Sequence, residues 1–234
     1  MNLVVVALSA VVSGRSAWLL LGVTGMAFVM GLSAMWAVLG YTLVEFFLFF
    51  YYAPRIRRFT ENYDCITLPD FFVARFGDKN GMLRMVVVLI IVIFMVAYVS
   101  AQFVAGGKAF HSSFNLSETQ GLLITAGIIL FYTMVGGFLA VSLTDTIQGI
   151  FMIIALIVLP IIAIQHLGGF SAFFTSAAAL ENGRFMNPLA IGLGAMAGFL
   201  GIGLGSPGNP HIIARYMSIK DPDRLKMVAL IGTS

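Results

Sequence analysis

Residues 85–107, MVVVLIIVIFMVAYVSAQFVAGG, carry no charged side chain, and runs of this kind constrain the chain more than any other feature. About 20 consecutive apolar residues suffice to cross the hydrocarbon of a bilayer as a helix. Similar runs recur at about 3–30, 33–52, 121–140, 141–164 and 188–213, and another begins at 227. Six spans and the start of a seventh are therefore predicted. In hydrocarbon every backbone N–H and C=O must be satisfied within the chain, so the fold class is all-α integral membrane. Composition agrees, with 60% hydrophobic and 10% charged residues, against about 45–50% and 25% in soluble domains. A single cysteine, Cys65, excludes a disulfide framework and a cysteine metal cluster. No basic segment precedes the first apolar run, so no cleaved leader is expected.

The positive charges orient these spans. Arg55, Arg57, Arg58, Arg75, Lys79 and Arg84 follow the second run, and Arg215, Lys220, Arg224 and Lys226 follow the sixth. With six spans those two loops share a side, and the positive-inside rule makes loops 53–84 and 214–226 cytoplasmic in a cell membrane. The net charge of +3 lies in these loops and points to no nucleic acid. The expected partners are the lipid bilayer and a small-molecule solute; nothing sets an oligomeric state.

Two of the runs are interrupted. The first holds one charge, Arg15, among Ser13, Gly14 and Ser16; the sixth contains Gly205-Ser206-Pro207-Gly208-Asn209-Pro210. Proline removes backbone donors and disfavours helix. Broken spans at matching positions of two halves indicate a secondary transporter built from inverted repeats. One repeat would cover about 3–165 and a second would open at about 188–234, in a single transmembrane domain over 1–234. A helix end or a small-residue contact face remains the alternative for the first break, and a loop at the membrane edge for the sixth.

Intramembrane charges are expensive and so mark either function or pairing. Asp145 reads as a cation contact or as a helix cap. Glu45 reads as half of an ion pair with an unidentified partner. Arg15 could neutralise a substrate carboxylate or a protein acid, or reach water. His211 and Arg215, one turn apart, could cap the broken helix or touch lipid phosphates. The glycines at 194, 198, 201 and 205 suit close helix packing. Formal GxGxxG spacing at 203–208 is dismissed, because no strand precedes it.

At SGRSAWLLLG (13–22), ITLPDFFVARFGDKNGMLR (66–84), YVSAQFVAGGKAF (98–110), GGFLAVSLTDTIQG (136–149) and GNPHIIARYM (208–217), the chain resembles the sodium/solute symporters, nearest their sodium/proline branch. The resemblance implies the five-plus-five inverted-repeat transporter fold, here truncated to about six spans plus the start of a seventh. It also implies that a leading helix and the later core helices are missing. Sodium is the implied co-transported ion, with no organic cofactor and no catalysis. By resemblance, backbone carbonyls of Val12 and Arg15 would bind sodium, helped by a Ser/Thr pair on a core helix beyond this chain. Asp145 would lie on the sodium path. Substrate contacts would be Ser13, Ser16, Ala17, Trp18, Tyr98, Ile202, Ser206 and Pro210. Three positions depart from the proline pattern: Gly14 stands for an acidic residue, Ile202 for a tryptophan and Ser206 for a tyrosine. Proline is the first substrate expected, with pantothenate, a monocarboxylate or a sugar as alternatives. A transporter-like module of a sensor protein and an enzyme using Asp145 and His211 are the readings from other classes.

Overall fold

The computed structural model describes residues 9, 12–15 and 18–219, apart from the side chains of Leu20, Glu181 and Asn182. The described part is helical, without strands. Its α-helices are α1 (Thr24–Met30), α2 (Met35–Phe47), α3 (Ala53–Asn62), α4 (Leu68–Phe76), α5 (Met82–Phe114), α6 (Glu118–His166), α7 (Phe170–Ala179), α8 (Gly192–Leu200) and α9 (Pro210–Met217). π-helical turns at Trp18–Val23 and Leu48–Tyr52, and 3-10 turns at Gly31–Ala34, Leu180–Met186 and Gly201–Gly208, extend or join them. Three helical stretches, Leu21–Asn62, Met82–Phe114 and Glu118–His166, are long and apolar enough to cross a membrane. The second of these buries only Gly107, so its Val, Ile and Phe side chains are left for lipid.

Two of the three stretches fold back on themselves. Arg15 reaches Glu45 at 2.6 Å, although a straight helix would hold residues 30 apart at about 45 Å. The fold-back occurs at Gly31, with φ 59° and ψ −137°. Gly137, with φ 52° and ψ −144°, does the same inside α6. There Tyr132 hydrogen-bonds to Thr144 across the turn. Only glycine adopts such dihedrals at low cost. Gly136–Gly137 is thus the corner between two arms of α6, whereas the apolar pattern put that boundary at 140/141. Asp145 accordingly lies two turns inside the second arm rather than at its start, and does not cap it.

The next reversal is capped chemically. Asn115 ends α5 in the left-handed region at φ 56°. Ser117 and Gln120 form a reciprocal capping box that starts α6. Beyond the turn, a Cβ on Gly107 would come within 2.7 Å of the Glu118 carbonyl oxygen. Close approach therefore falls at 106, 107 and 121.

The charged loop after α2 packs against the end of α9. Ile56, Cys65, Ile213 and Met217 form one buried cluster; Leu48, Phe49, Ala53, Ile212, Tyr216 and Ile219 form its neighbour. Arg57 donates through Nε to the Ile219 carbonyl. Loops that the charge pattern assigned to one side are therefore in contact. At the opposite end Ser33 donates to the Asn187 carbonyl at 3.1 Å and Trp36 to that of Pro188 at 2.7 Å. Between 165 and 187 lies α7.

Helix–helix packing uses other glycines than the sequence pattern suggested. Positions 194, 198 and 205 face open space, and at 201 an added Cβ would make only an ordinary contact with Leu204 at 3.8 Å. A Cβ on Gly40 would stand 2.5 Å from the Leu200 Cα, and one on Gly203 would stand 2.9 Å from the Tyr41 Cα. There α2 crosses the Gly201–Gly208 segment at backbone contact, which only hydrogen-sized side chains allow.

Candidate functional site

The break after α8 is held open by named donors. Pro207 and Pro210 lack backbone N–H groups, and Asn209 is extended with φ −77° and ψ 111°. The Pro207 carbonyl, freed from the helix, accepts from the Tyr52 hydroxyl at 3.1 Å. Pro210 opens α9, where its missing N–H and preset φ suit the first turn. Next to it His211 stacks on Tyr98 of α5. One turn further Arg215 meets α6 and the N-terminal helical residues 9 and 12–15, the first helix.

A charge cluster sits there. Arg215 donates through Nη2 to Asp145 Oδ2 at 2.5 Å, and both side chains are largely buried. Ser9 and Ser13 each donate a hydroxyl to the same oxygen at 2.9 Å. Ser9 in turn accepts from Arg215 Nε at 2.9 Å. Arg215 Nη1 also donates to the His211 carbonyl at 2.6 Å, one turn back on its own helix. A buried carboxylate without such partners would cost several kcal/mol.

A second polar group gathers on Tyr41. Its hydroxyl donates to the Gly14 carbonyl at 2.8 Å, and its backbone lies against Gly203, close to the second break. The Trp18 ring lies on the Tyr41 ring, with centroids 5.1 Å apart. Glu45, one turn along the same face of α2, takes Arg15 as its partner; the buried acid expected to be paired has the first helix's only charge. Tyr98 stacks on His211 with centroids 5.0 Å apart and 20° between planes. The His211 Nδ1 is buried without a hydrogen-bond partner among the described residues.

Of the substrate contacts implied by resemblance, Ser13, Trp18, Tyr98, Ser206 and Pro210 thus lie around the two breaks. Ile202 is 39% exposed and has no recorded contact with them. Ser16 and Ala17 lie outside the described residues. Of the implied sodium carbonyls, those of Val12 and Arg15 belong to a helical segment, 12–15, and the local irregularity is the π-helical turn Trp18–Val23. Sequence reasoning missed Tyr41, Ser9 and the Arg215–Asp145 pairing. The available signal for Tyr41 was its i, i+4 spacing from Glu45 in an otherwise apolar helix.

The chain matches the sodium:solute symporter family over residues 1–234. It belongs to that family. It is 44% identical over 237 residues to a sodium/proline symporter of Staphylococcus aureus, covering 98% of this chain and 45% of the relative. Sodium/proline symporters of Staphylococcus aureus strains JH9 and COL match at the same 44% identity and the same coverage. The chain therefore spans about half the length of these curated relatives. No solved structure gives a significant match. Family members are transporters rather than enzymes, and the apolar helices make this a multi-pass membrane protein.

Proposed function

We propose that this chain forms the first half of a sodium-coupled symporter that imports a small organic solute, with proline the first candidate. The observation that carries the reading is Asp145. Its carboxylate lies inside a membrane-length helix and meets hydroxyls of the first helix and a cation on α9. An acid kept at that cost inside an apolar helix belongs to an ion path. The substrate reading rests on the Staphylococcus aureus relatives, whose names specify sodium and proline.

In this reading six spans and the start of a seventh make up one repeat (about 3–165) and the opening of an inverted second (about 188–234). The protein lies in the cell membrane with loops 53–84 and 214–226 cytoplasmic. Sodium would use the carbonyls of Val12 and Arg15 and leave past Asp145. Ser13, Ser16, Ala17, Trp18, Tyr98, Ile202, Ser206 and Pro210 would hold the solute. Tyr41 joins this set, because it touches both breaks, through its hydroxyl at Gly14 and its backbone at Gly203. Trp18 and Tyr98 offer flat faces to a small apolar ring such as proline's. The driving force is the sodium gradient plus the membrane potential, about 2.3 kcal/mol per charge per 100 mV.

The test is uptake of labelled proline by the full-length protein in proteoliposomes with an inward sodium gradient. Proline accumulation that collapses when sodium is replaced by potassium supports the reading. Sodium-driven uptake of a monocarboxylate, pantothenate or sugar instead of proline would keep the symporter and replace the substrate. A protein that moves no sodium sinks the mechanism.

A further inference from the structure

The Arg215 guanidinium stands among oxygen atoms that suit a small metal cation. One carboxylate oxygen, Asp145 Oδ2, lies 2.5 Å from Arg215 Nη2 and receives the Ser9 and Ser13 hydroxyls at 2.9 Å. Carboxylate and hydroxyl oxygens are the ligands hard cations prefer. Arginine cannot be deprotonated in a protein, so this cation is permanent and tethered to α9. Three elements meet at the cluster: the first helix through Ser9 and Ser13, α6 through Asp145, and α9 through Arg215.

We propose that Arg215 is a tethered competitor for sodium at Asp145, and that its displacement by sodium unlatches α9 from α6. The inference rests on the symporter reading above and adds to it a residue that sets sodium affinity. Coulomb repulsion and the limited number of oxygens prevent both cations from sharing the carboxylate at full strength. Apparent sodium affinity is then reduced by the fraction of time the pair is open.

Unlatching has a visible consequence at the charged end of the molecule. A cavity of about 680 Å³ is lined there by Arg57, Glu61, Cys65, Phe138 and Ser218, among others. Ser218 lies just past Arg215, and its hydroxyl donates to the Arg215 carbonyl at 2.8 Å. The thiol beside this cavity, Cys65, is buried under Ile213 and Met217, which flank Arg215 on α9. Lifting α9 uncovers Cys65 and opens the cavity toward the cluster.

The experiment follows the maleimide alkylation rate of Cys65 in the full-length protein, with any other cysteines replaced. Sodium is titrated in proteoliposomes with choline holding ionic strength. The wild type should react several-fold faster at saturating sodium. Arg215→Gln has no latch for alkylation to report, so its sodium affinity is read by binding of radiolabelled sodium beside the wild type. Its half-saturating concentration should fall roughly tenfold or more, as expected where the competing cation leaves the site open a tenth of the time or less. Arg215→Lys, which keeps a cation, should fall between them. The double variant Asp145→Ala with Arg215→Gln removes both halves of the pair and should react fast at any sodium concentration.

An Arg215→Gln protein with an unchanged or raised half-saturating concentration overturns the competition. A double variant as protected as the sodium-free wild type overturns the latch. Should wild-type Cys65 ignore sodium while sodium-driven uptake persists, the inference fails and the symporter stands. Absence of sodium-driven uptake removes both.

Discussion

Gly14 leaves room for a hydroxyl. A Cβ at that position would run into Tyr41 Oη, which now bonds the Gly14 carbonyl. Gly14→Ala should therefore push Tyr41 off the first break and lower solute uptake on the order of tenfold, since small displacements of a binding constellation carry large rate penalties. Adding Tyr41→Phe to Gly14→Ala removes the clash and should recover part of the uptake; no recovery would mean that the hydroxyl's bonds, not its volume, matter. Arg15 and Glu45 make the second residue-scale case. Glu45→Ala strands a guanidinium beside an apolar helix and should cost on the order of 2–4 kcal/mol, a little under the usual penalty because Arg15 is a quarter exposed. Thermal unfolding in detergent should show a clear drop for Glu45→Ala and near recovery for Arg15→Met combined with Glu45→Met. The need of Glu45 for a partner was legible from one acid in an apolar run. Which partner was not legible, because Arg15 is brought near only by the fold-back at Gly31.

At the scale of elements, turns and caps decide where each helix begins. Gly137 carries φ 52° and ψ −144°, and any other residue there costs about 1–3 kcal/mol. Gly137→Ala should lower the unfolding temperature by several degrees, whereas Gly127→Ala, with open space and helical dihedrals, should be neutral or slightly stabilising. Equal effects of the two would refute the turn. The α4 cap adds a pH dependence. Asp70 accepts from the Thr67 hydroxyl at 2.6 Å and the Thr67 N–H at 2.9 Å, and it pairs with Arg84 at 2.9 Å. The Thr67 hydroxyl bond first, then its backbone bond and Arg84, outweigh the opposing effect of burial and hold the Asp70 carboxyl below its ordinary 3.8. A lowered value in the folded loop means that ionised Asp70 stabilises it. That contribution is complete above about pH 4 and is lost as pH falls through the lowered value. Limited proteolysis between 63 and 84 should accelerate on acidification into that window, and Asp70→Asn should be cut equally fast at neutral pH. The capping residues were readable as short-range sequence patterns. The helix corner at Gly137 was misplaced by a few residues, because apolar content runs through it unbroken.

For the whole molecule, the two ends are chemically distinct. Arg57 and the Ile56–Cys65 cluster join the charged loop after α2 to the end of α9, while Ser33 and Trp36 tie the Gly31 turn to 187–188. In inside-out vesicles an impermeant thiol reagent should label a cysteine at Arg55 and spare one at Lys108; in right-side-out vesicles the order should reverse. Labelling of both positions from one side would break the proposed topology. The run lengths were sufficient for an all-helical membrane chain, because hydrocarbon allows few ways to satisfy a backbone. The short motifs such as 13–22 and 136–149 carried the resemblance to its transporter family. Those are properties of single segments and can be read locally. The pairings were decided by tertiary structure alone: Arg15 with Glu45 across 30 residues, and Arg215 with Asp145 across 70. A buried charge states that it needs a partner, but several candidates of the right sign lie along the chain. Only the crossing of the first helix, α6 and α9 brings one of them within bonding distance.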